Sequence, residues 1–321
     1  MRRLAVCLAV AIGALVAAPS ALAAGGPLFV APGGAGAASY DGTVHWVAVP
    51  DGPRATILER VDLPTGDVSY WIRVKGAWGT PLVGSGTQTG QGLSHDGKTL
   101  VLASTPGPPY QSSSKFLVVN LRRMRVLRTI TLAGDFSFDA LSPDASRMYL
   151  IQYRAGNVND YIVREYDMRT SRLLPGRIAD RSEHEKTMAG SALTRTTSAG
   201  GRWVYTLYQK PSGEPFIHAL DTVGAAAYCI DLPKNRGLYN IVLSLRNGGR
   251  TLAVHWRSGR PWLNVAVGTW RISHPTSGFP SAWVGGGIGA GLLLLAGAGL
   301  VLRRRRRQEL HEHSRQELGL A

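Results

Sequence analysis

The chain is poor in cysteine, with only Cys7 and Cys229 in 321 residues. Cys7 lies in an N-terminal segment that we expect to be removed, so the mature chain keeps one thiol. An exported domain with a single thiol has no internal disulfide, and its stability must come from a packed core. The alternating pattern around Cys229 predicts a strand in which this residue is a small buried hydrophobe.

Short motifs of catalytic and phosphate-binding sites are also missing. The sequence contains no Gly-x-Ser-x-Gly elbow, no His-Glu-x-x-His and no phosphate-binding loop. The tract His311-Glu312-His313 offers too few ligands for a metal site, and a polar tail is the better interpretation. From the sequence we therefore assign no catalytic residue, no metal and no cofactor.

Acidic residues are scarce, at 21 against 36 Lys and Arg, and the net charge is +15. The first residues carry two of these charges and the C-terminal tail three, which leaves about ten for the region between them. That excess is spread out, with one dense cluster at Arg122-Arg123-Met124-Arg125. Because arginine greatly outnumbers the six lysines, as in GC-rich genomes, we predict no nucleic-acid partner. A mildly basic surface still suits acidic glycans or lipid headgroups.

Charge is absent from residues 283–302, and this run predicts a transmembrane helix. Twenty helical residues cover the roughly 30 Å hydrocarbon core of a bilayer. Residues 303–321 would form a basic cytoplasmic tail, because consecutive arginines mark the cytoplasmic side. These orienting residues are Arg303, Arg304, Arg305, Arg306 and Arg307. The spacing of Gly285 and Gly289 permits dimerisation through the helix, although glycine is abundant throughout the chain.

The N-terminus has the three parts of a secretory signal peptide, residues 1–23. A basic start and an apolar stretch precede Ala21-Leu22-Ala23, which suits cleavage. We therefore predict an exported domain at 24–272, a linker at 273–282 and a single-pass protein of the cell membrane. The domain would lie outside and the C-terminus in the cytoplasm.

A turn-and-strand phrase recurs through the exported region. It is clearest at residues 93–102 and returns at 141–150, 197–205 and 245–253, with a degenerate first copy at 39–47. The basic residue after each turn recurs at steps of 49, 55 and 48 residues. Self-similarity at this period is typical of propellers and solenoids. Each repeat also contains a strand that ends in Asp or Asn and leads into a turn, as at Asp62, Asn120, Asp167 and Asp221.

These repeats predict an all-β fold, a β-propeller with five visible blades, beside the single membrane helix. A blade count of five to seven remains possible. A sixth blade would fit in residues 74–92, or it would form if residues 27–30 paired with the final strands. The phrases at 94–100 and 142–144 resemble the blade signature of YVTN-type, WD-type and TolB-like propellers. The resemblance concerns the fold and carries no catalytic residue. The pattern departs from the signature at 144–146, where we expect an extra residue, and before Gly200, which no Asp precedes.

One position on the innermost strands is the candidate ligand site. Aligned by the start of the turn, it is occupied by Gln91, Asp139, Arg195 and Leu243. Asp139 and Arg195 would bind a polar ligand or pair with each other in the central channel. Asp135 and Asp139 would supply only two carboxylates to a calcium ion, which needs six to eight oxygen ligands, and the sequence does not identify the others.

Three functions remain open from the sequence. The favoured one is a membrane-anchored extracytoplasmic module that binds an unknown protein, glycan or small ligand. The second is a lactonase-type propeller hydrolase, with or without calcium, whose site lies at the central channel. The third is a protein whose anchor is processed, although no Leu-Pro-x-Thr-Gly precedes the anchor.

Overall fold

A computed structural model describes residues 30–31, 36–84, 90–105, 111–154, 157–180 and 188–275. In these residues the regular structure is all strand, apart from one turn of 3-10 helix at Leu238–Asn240. No helix among them is long and apolar enough to cross a membrane. The predicted signal peptide, the predicted membrane helix with Gly285 and Gly289, and Arg303–Arg307 lie outside the described residues.

The described chain forms five antiparallel sheets, named first to fifth by the order of their main strands. A short strand, β1 (Val30–Ala31), precedes them. The first sheet contains β2 (Ala37–Ala38), β3 (Val44–Pro50), β4 (Ala55–Asp62) and β5 (Asp67–Lys75). The second contains β6 (Trp78–Pro81), β7 (Thr99–Ser104), β8 (Ser113–Asn120) and β9 (Arg125–Ala133). The third contains β10 (Phe136–Leu141), β11 (Arg147–Arg154), β12 (Asn157–Asp167) and β13 (Arg172–Leu173).

The fourth and fifth sheets repeat the plan of four strands in chain order. The fourth contains β14 (Ser191–Thr197), β15 (Trp203–Gln209), β16 (Pro215–Asp221) and β17 (Ala226–Asp231). The fifth contains β18 (Ile241–Arg246), β19 (Thr251–Trp256), β20 (Pro261–Ala266) and β21 (Ile272–Ser273). Four sheets thus have four strands and the second has five, because β1 joins it, and the five sheets fit the five visible blades of the predicted propeller.

Strand β1 is the exception to this plan, and it corrects one expectation. It pairs with β6 of the second sheet, through Val30 with Pro81 and Ala31 with Thr80, and not with the final strands. The described part of residues 74–92 belongs to β5, to β6 and to bridges at Leu82 and Gly90, and it adds no sixth sheet. Neither of the two routes to a sixth blade is therefore present among the described residues.

The recurring turn directly precedes the second strand of every sheet, as the repeats predicted. In four sheets a serine begins the turn, and its hydroxyl accepts the backbone N–H five residues later. The fourth residue of each turn has a positive φ, a conformation that favours glycine. These residues are Gly42, Gly97, Ala145, Gly201 and Gly249. Ala145, at φ 55°, therefore replaces the glycine, and the extra residue expected there is not present.

Three of the four Asx turns expected between the third and fourth strands form, whereas the carboxylate of Asp62 pairs with Arg60 at 2.6 Å. The side chain of Asn120 accepts the N–H of Arg123, and that of Asp167 accepts the N–H of Arg169. Asp221 accepts the N–H groups of Val223 and Gly224. These local hydrogen bonds satisfy backbone N–H groups of the turn, which is why the turn can be recognised in the sequence.

Four buried apolar clusters hold the sheets together, each between successive sheets. They join the first to the second, the second to the third, the third to the fourth and the fourth to the fifth. None of these four clusters contains residues of both the first and the fifth sheet. Strand β16 is buried along its whole length because neighbouring sheets cover both of its faces. Most of the burial that stabilises the fold is therefore made between sheets that follow each other in the chain.

Candidate functional site: the mouth between the inner strands

The four aligned candidates take different positions. Gln91 and Arg195 line one cavity, whereas Asp139 is buried beside Arg195. Leu243 is 4% exposed and packs in the apolar cluster between the fourth and fifth sheets. The alignment therefore brings three residues to one place, and the fourth belongs to the core.

Arg195 and Asp139 form a buried ion pair between the fourth and third sheets. Nη2 of Arg195 bonds Oδ1 of Asp139, and Nη1 donates to the Asp139 carbonyl. Nε donates to Oγ1 of Thr206 at 2.9 Å. Among the described residues, three of the five guanidinium N–H donors are used, and two are left for another acceptor.

A β-bulge accounts for the position of Asp139. The register between β10 and β11 shifts between Phe138 and Ala140, so Asp139 has no opposite partner on β11. A bulge re-aims the side chain of its extra residue. Here the bulged residue bonds the neighbouring sheet.

The cavity lies where four sheets meet, at the end that carries the serine turns. Its volume is about 200 Å³. Tyr40 comes from the first sheet, Gln91 and His95 from the second, Phe138 from the third, and Arg195 and Thr197 from the fourth. Because its walls come from the inner edges of several sheets, this cavity corresponds to the mouth of the central channel of a propeller. We call the cavity the mouth.

Tyr40 and His95 form the aromatic rim of the mouth. Their ring centroids are 4.4 Å apart and tilted by 48°. Tyr40 is 59% exposed, whereas Nε2 of His95 is buried without a hydrogen-bond partner among the described residues. Sequence analysis missed both residues. His95 is the variable second residue of the Ser-x-Asp turn, and nothing local shows that this turn lies at the mouth.

A row of polar side chains extends from Arg195 across the fourth sheet. Thr206 lies opposite Arg195, His218 opposite Thr206, and Cys229 opposite His218. His218 is 2% exposed, and burial lowers its pKa from 6.5 to about 4. The backbone N–H of Cys229 donates to Asp180 at 2.7 Å. Cys229 is half-buried and no disulfide partner exists among the described residues.

A second groove, of about 460 Å³, lies between the turns of the third and fourth sheets. Four of its five charged side chains form ion pairs, and the fifth, Asp167, accepts the N–H groups of Arg169 and Thr170. Arg169 pairs with Asp144 at 3.2 Å, and Arg147 pairs with Glu165 at 3.3 Å. Burial alone would raise the pKa of Asp144, but hydrogen bonds from Ser146 and Ser142 hold it at about 2. With its charges engaged, this groove is the weaker ligand site.

The calcium hypothesis gains no support from the geometry. Asp139, one of its two proposed ligands, is engaged by Arg195. Asp135 precedes the same strand, and its carbonyl accepts the N–H of Tyr153 at 3.0 Å. Within the described ranges, no group of three or more His, Cys, Asp or Glu is placed to hold a metal ion.

Comparison with known proteins finds solved structures that are similar to this chain, but only at low similarity. No family model and no curated protein sequence matches the chain. Among solved structures, the dihydro-heme d1 dehydrogenase NirN is similar with a TM-score of 0.44 and 16% identity, over 74% of this chain and 45% of that one. TolB from Acinetobacter baumannii gives 0.40 and 15%, over 77% and 56%. The Cps50 (Swd1) β-propeller domain of Myceliophteria thermophila gives 0.42 and 12%, over 72% and 67%.

This chain spans less than half the length of NirN and just over half that of TolB. Scores at this level carry no functional argument. The fold description therefore rests on the five sheets themselves.

Proposed function

We propose that the protein is a binding module whose mouth takes a small polar group, and that it is tethered outside the cell by the C-terminal anchor. The supporting observation is the state of Arg195. Its guanidinium is oriented by Asp139 and Thr206, lines the mouth and keeps two N–H donors unused among the described residues. A cation held in this way is preorganised to bind oxygen atoms of a ligand.

The size of the mouth limits the ligand. Its volume of about 200 Å³ is below the roughly 300–1,000 Å³ of sites for drug-sized molecules. It matches one monosaccharide, one amino acid or the tip of a partner's loop. Tyr40 and His95 offer ring faces, and Gln91 lines the same cavity. We propose a ligand with a carboxylate or hydroxyl group next to a flat apolar face.

The sequence supports the membrane location through the uncharged run 283–302 and the arginines after it. In this proposal the chain is a single-pass protein with its sheets outside and its tail in the cytoplasm. The proposed partners are the bilayer and an extracytoplasmic protein, glycan or small ligand. A dimer through Gly285 and Gly289 stays a prediction.

Thermal unfolding tests the mouth. Succinate, N-acetylglucosamine and a short acidic peptide are titrated against the full chain, and at least one should raise the midpoint. Tyr40→Ala should abolish that shift. The matched control Tyr70→Ala removes another exposed tyrosine of the first sheet, outside the mouth, and should retain it. Equal behaviour of the two variants would refute the proposed site.

A further inference from the structure

The fifth sheet is built without any acidic residue. From Leu232 to Gln308 the sequence contains neither Asp nor Glu. Over residues 232–275 the same stretch contributes seven cations: Lys234, Arg236, Arg246, Arg250, Arg257, Arg260 and Arg271. This region alone accounts for much of the positive charge outside the two termini.

Four of these cations gather at one end of the sheet, which we call the basic end. It comprises residues 234–240, before β18, and the hairpin 256–261 between β19 and β20. The two segments are in contact, because the N–H of Arg257 donates to the carbonyl of Asn240 at 2.7 Å. Lys234, Arg236, Arg257 and Arg260 are all exposed there.

Aromatic side chains accompany the cations at the basic end. Tyr239 is 49% exposed. The guanidinium of Arg260 lies 5.2 Å from the ring centroid of Trp256, and the ring of Trp262 lies 6.4 Å from that of Trp256. Tyr and Trp mixed with Lys and Arg are the residues that proteins place at the membrane–water interface.

The equivalent hairpin ends of three other sheets each contain an ion pair. Arg73 pairs with Asp51 in the first sheet, Arg154 with Asp160 in the third, and Lys210 with Asp231 in the fourth. None of the ion pairs among the described residues involves Lys234, Arg236 or Arg260. The fifth sheet therefore differs from these three in having no carboxylate at this end.

The chain leaves the fifth sheet toward this same end. Strand β20 starts at the basic hairpin, and β21 runs antiparallel to it, with Ser273 opposite Asn264. Ser273 therefore lies about 10 Å from the start of β20 and is directed back toward the basic end. Seven residues, 276–282, then separate the described chain from the predicted anchor, and they span at most about 25 Å.

We propose that the basic end of the fifth sheet docks on the anionic lipid headgroups of the bilayer that the anchor enters. Its charge complements such a surface, its aromatic residues suit the interface, and the short connection keeps it within reach. The inference rests on the proposed anchor. It deepens that proposal by giving the extracytoplasmic domain a fixed orientation, with the basic end toward the membrane.

The test uses the full chain in two kinds of vesicle, one of phosphatidylcholine alone and one with about a third phosphatidylglycerol. Hydrogen exchange of residues 234–240 and 256–261 is measured in both. With phosphatidylglycerol, exchange there should slow by about fivefold or more, since each cation near an anionic surface contributes to docking. High salt should remove the protection.

Two matched variants identify the surface. Lys234→Gln, Arg236→Gln and Arg260→Gln together should lose the protection. Arg122→Gln, Arg123→Gln and Arg125→Gln remove three exposed cations from the second sheet and should keep it. All six positions are exposed or lie in turns and edge strands, so both variants should fold, and circular dichroism checks this.

The outcomes separate this inference from the proposed function. If alkaline carbonate extracts the chain from the vesicles, the prediction of an anchor is wrong, and the docking proposal that rests on it is wrong as well. If the chain is retained and exchange is the same in both vesicles, the docking alone is wrong. Protection by soluble alginate but not by phosphatidylglycerol would assign the surface to an acidic glycan and overturn the lipid assignment.

Discussion

Asp139 and Arg195 face each other across the boundary between the third and fourth sheets, with side chains 1% and 5% exposed. The ion pair has two roles. It links two sheets through a buried charge, and it orients the guanidinium at the wall of the mouth. Because these roles respond differently to substitution, they can be separated by experiment.

Loss of one partner should be strongly destabilising. Asp139→Ala leaves a buried guanidinium without its counter-ion, and the free energy of unfolding should fall by about 3–5 kcal/mol. Asp139→Leu combined with Arg195→Met removes both charges and should recover most of that loss. Urea denaturation followed by tryptophan fluorescence measures both. As a control, Arg169→Ala breaks an exposed pair and should change stability by less than about 1 kcal/mol.

Stability should decrease on mild acidification because of His218. Burial lowers its folded pKa to about 4, whereas the unfolded residue titrates near 6.5, so the unfolded state binds the proton first. This contribution is fully present above pH 6.5 and is lost as the pH falls toward 4. Between pH 6.5 and 4.5 the free energy of unfolding should fall by about 2 kcal/mol from this residue.

His218→Gln should flatten that part of the pH profile. His274→Gln replaces an exposed histidine just after β21 and serves as the matched control. Denaturation midpoints at five pH values between 4.5 and 7 give the comparison. Parallel profiles for the wild type and His218→Gln would contradict the assignment.

Two glycines at the same turn position should differ in their tolerance of alanine. Gly97 and Gly201 have φ of 67° and 71°, so either substitution incurs roughly 1–2 kcal/mol of backbone strain. A Cβ at Gly97 would meet nothing within 4 Å, whereas one at Gly201 would lie 2.8 Å from Cβ of His95. Gly201→Ala should therefore be the more destabilising by about 1–3 kcal/mol, measured by thermal unfolding. Equal losses would mean that the second and fourth sheets do not meet at His95.

The serine turn should contribute measurably to stability. Ser142 accepts the N–H of Arg147 at 2.9 Å and donates to Asp144 at 2.9 Å. Ser142→Ala should reduce the free energy of unfolding by about 1 kcal/mol. Ser258→Ala, in an exposed hairpin of the fifth sheet, should leave it within about 0.5 kcal/mol of the wild type. Chemical denaturation measures the free energy of unfolding of both variants. Equal values would mean that the serine turn does not contribute to stability.

Features that depend on residues close to one another in the sequence were predictable. The serine and Asx turns depend on side chains that bond their own backbone a few residues away, so each copy carries its full signal. The proximity of Asp139 and Arg195 followed from aligning these turns, because equivalent positions of adjacent repeats lie side by side. Whether either residue binds a ligand stays a prediction.

Features that depend on the packing of separate repeats were not predictable. Strand β1 has two residues and pairs with a strand almost fifty positions later, so no local pattern marks it. His218 lies in a strand whose pattern gives no sign that both faces are covered, and only the neighbouring sheets make its burial visible. The contact between the rings of Tyr40 and His95 likewise joins two repeats at residues that their own turns leave variable.

The third, fourth and fifth sheets are each made of one uninterrupted stretch of chain, as described above. A single in-frame duplication or deletion of about fifty codons in this region would add or remove one complete sheet and break none. The first and second sheets lack this freedom, because β1 reaches past the first sheet to pair within the second. Related genes should therefore vary in length by whole units toward the C-terminal side of the domain, while the N-terminal pair stays together.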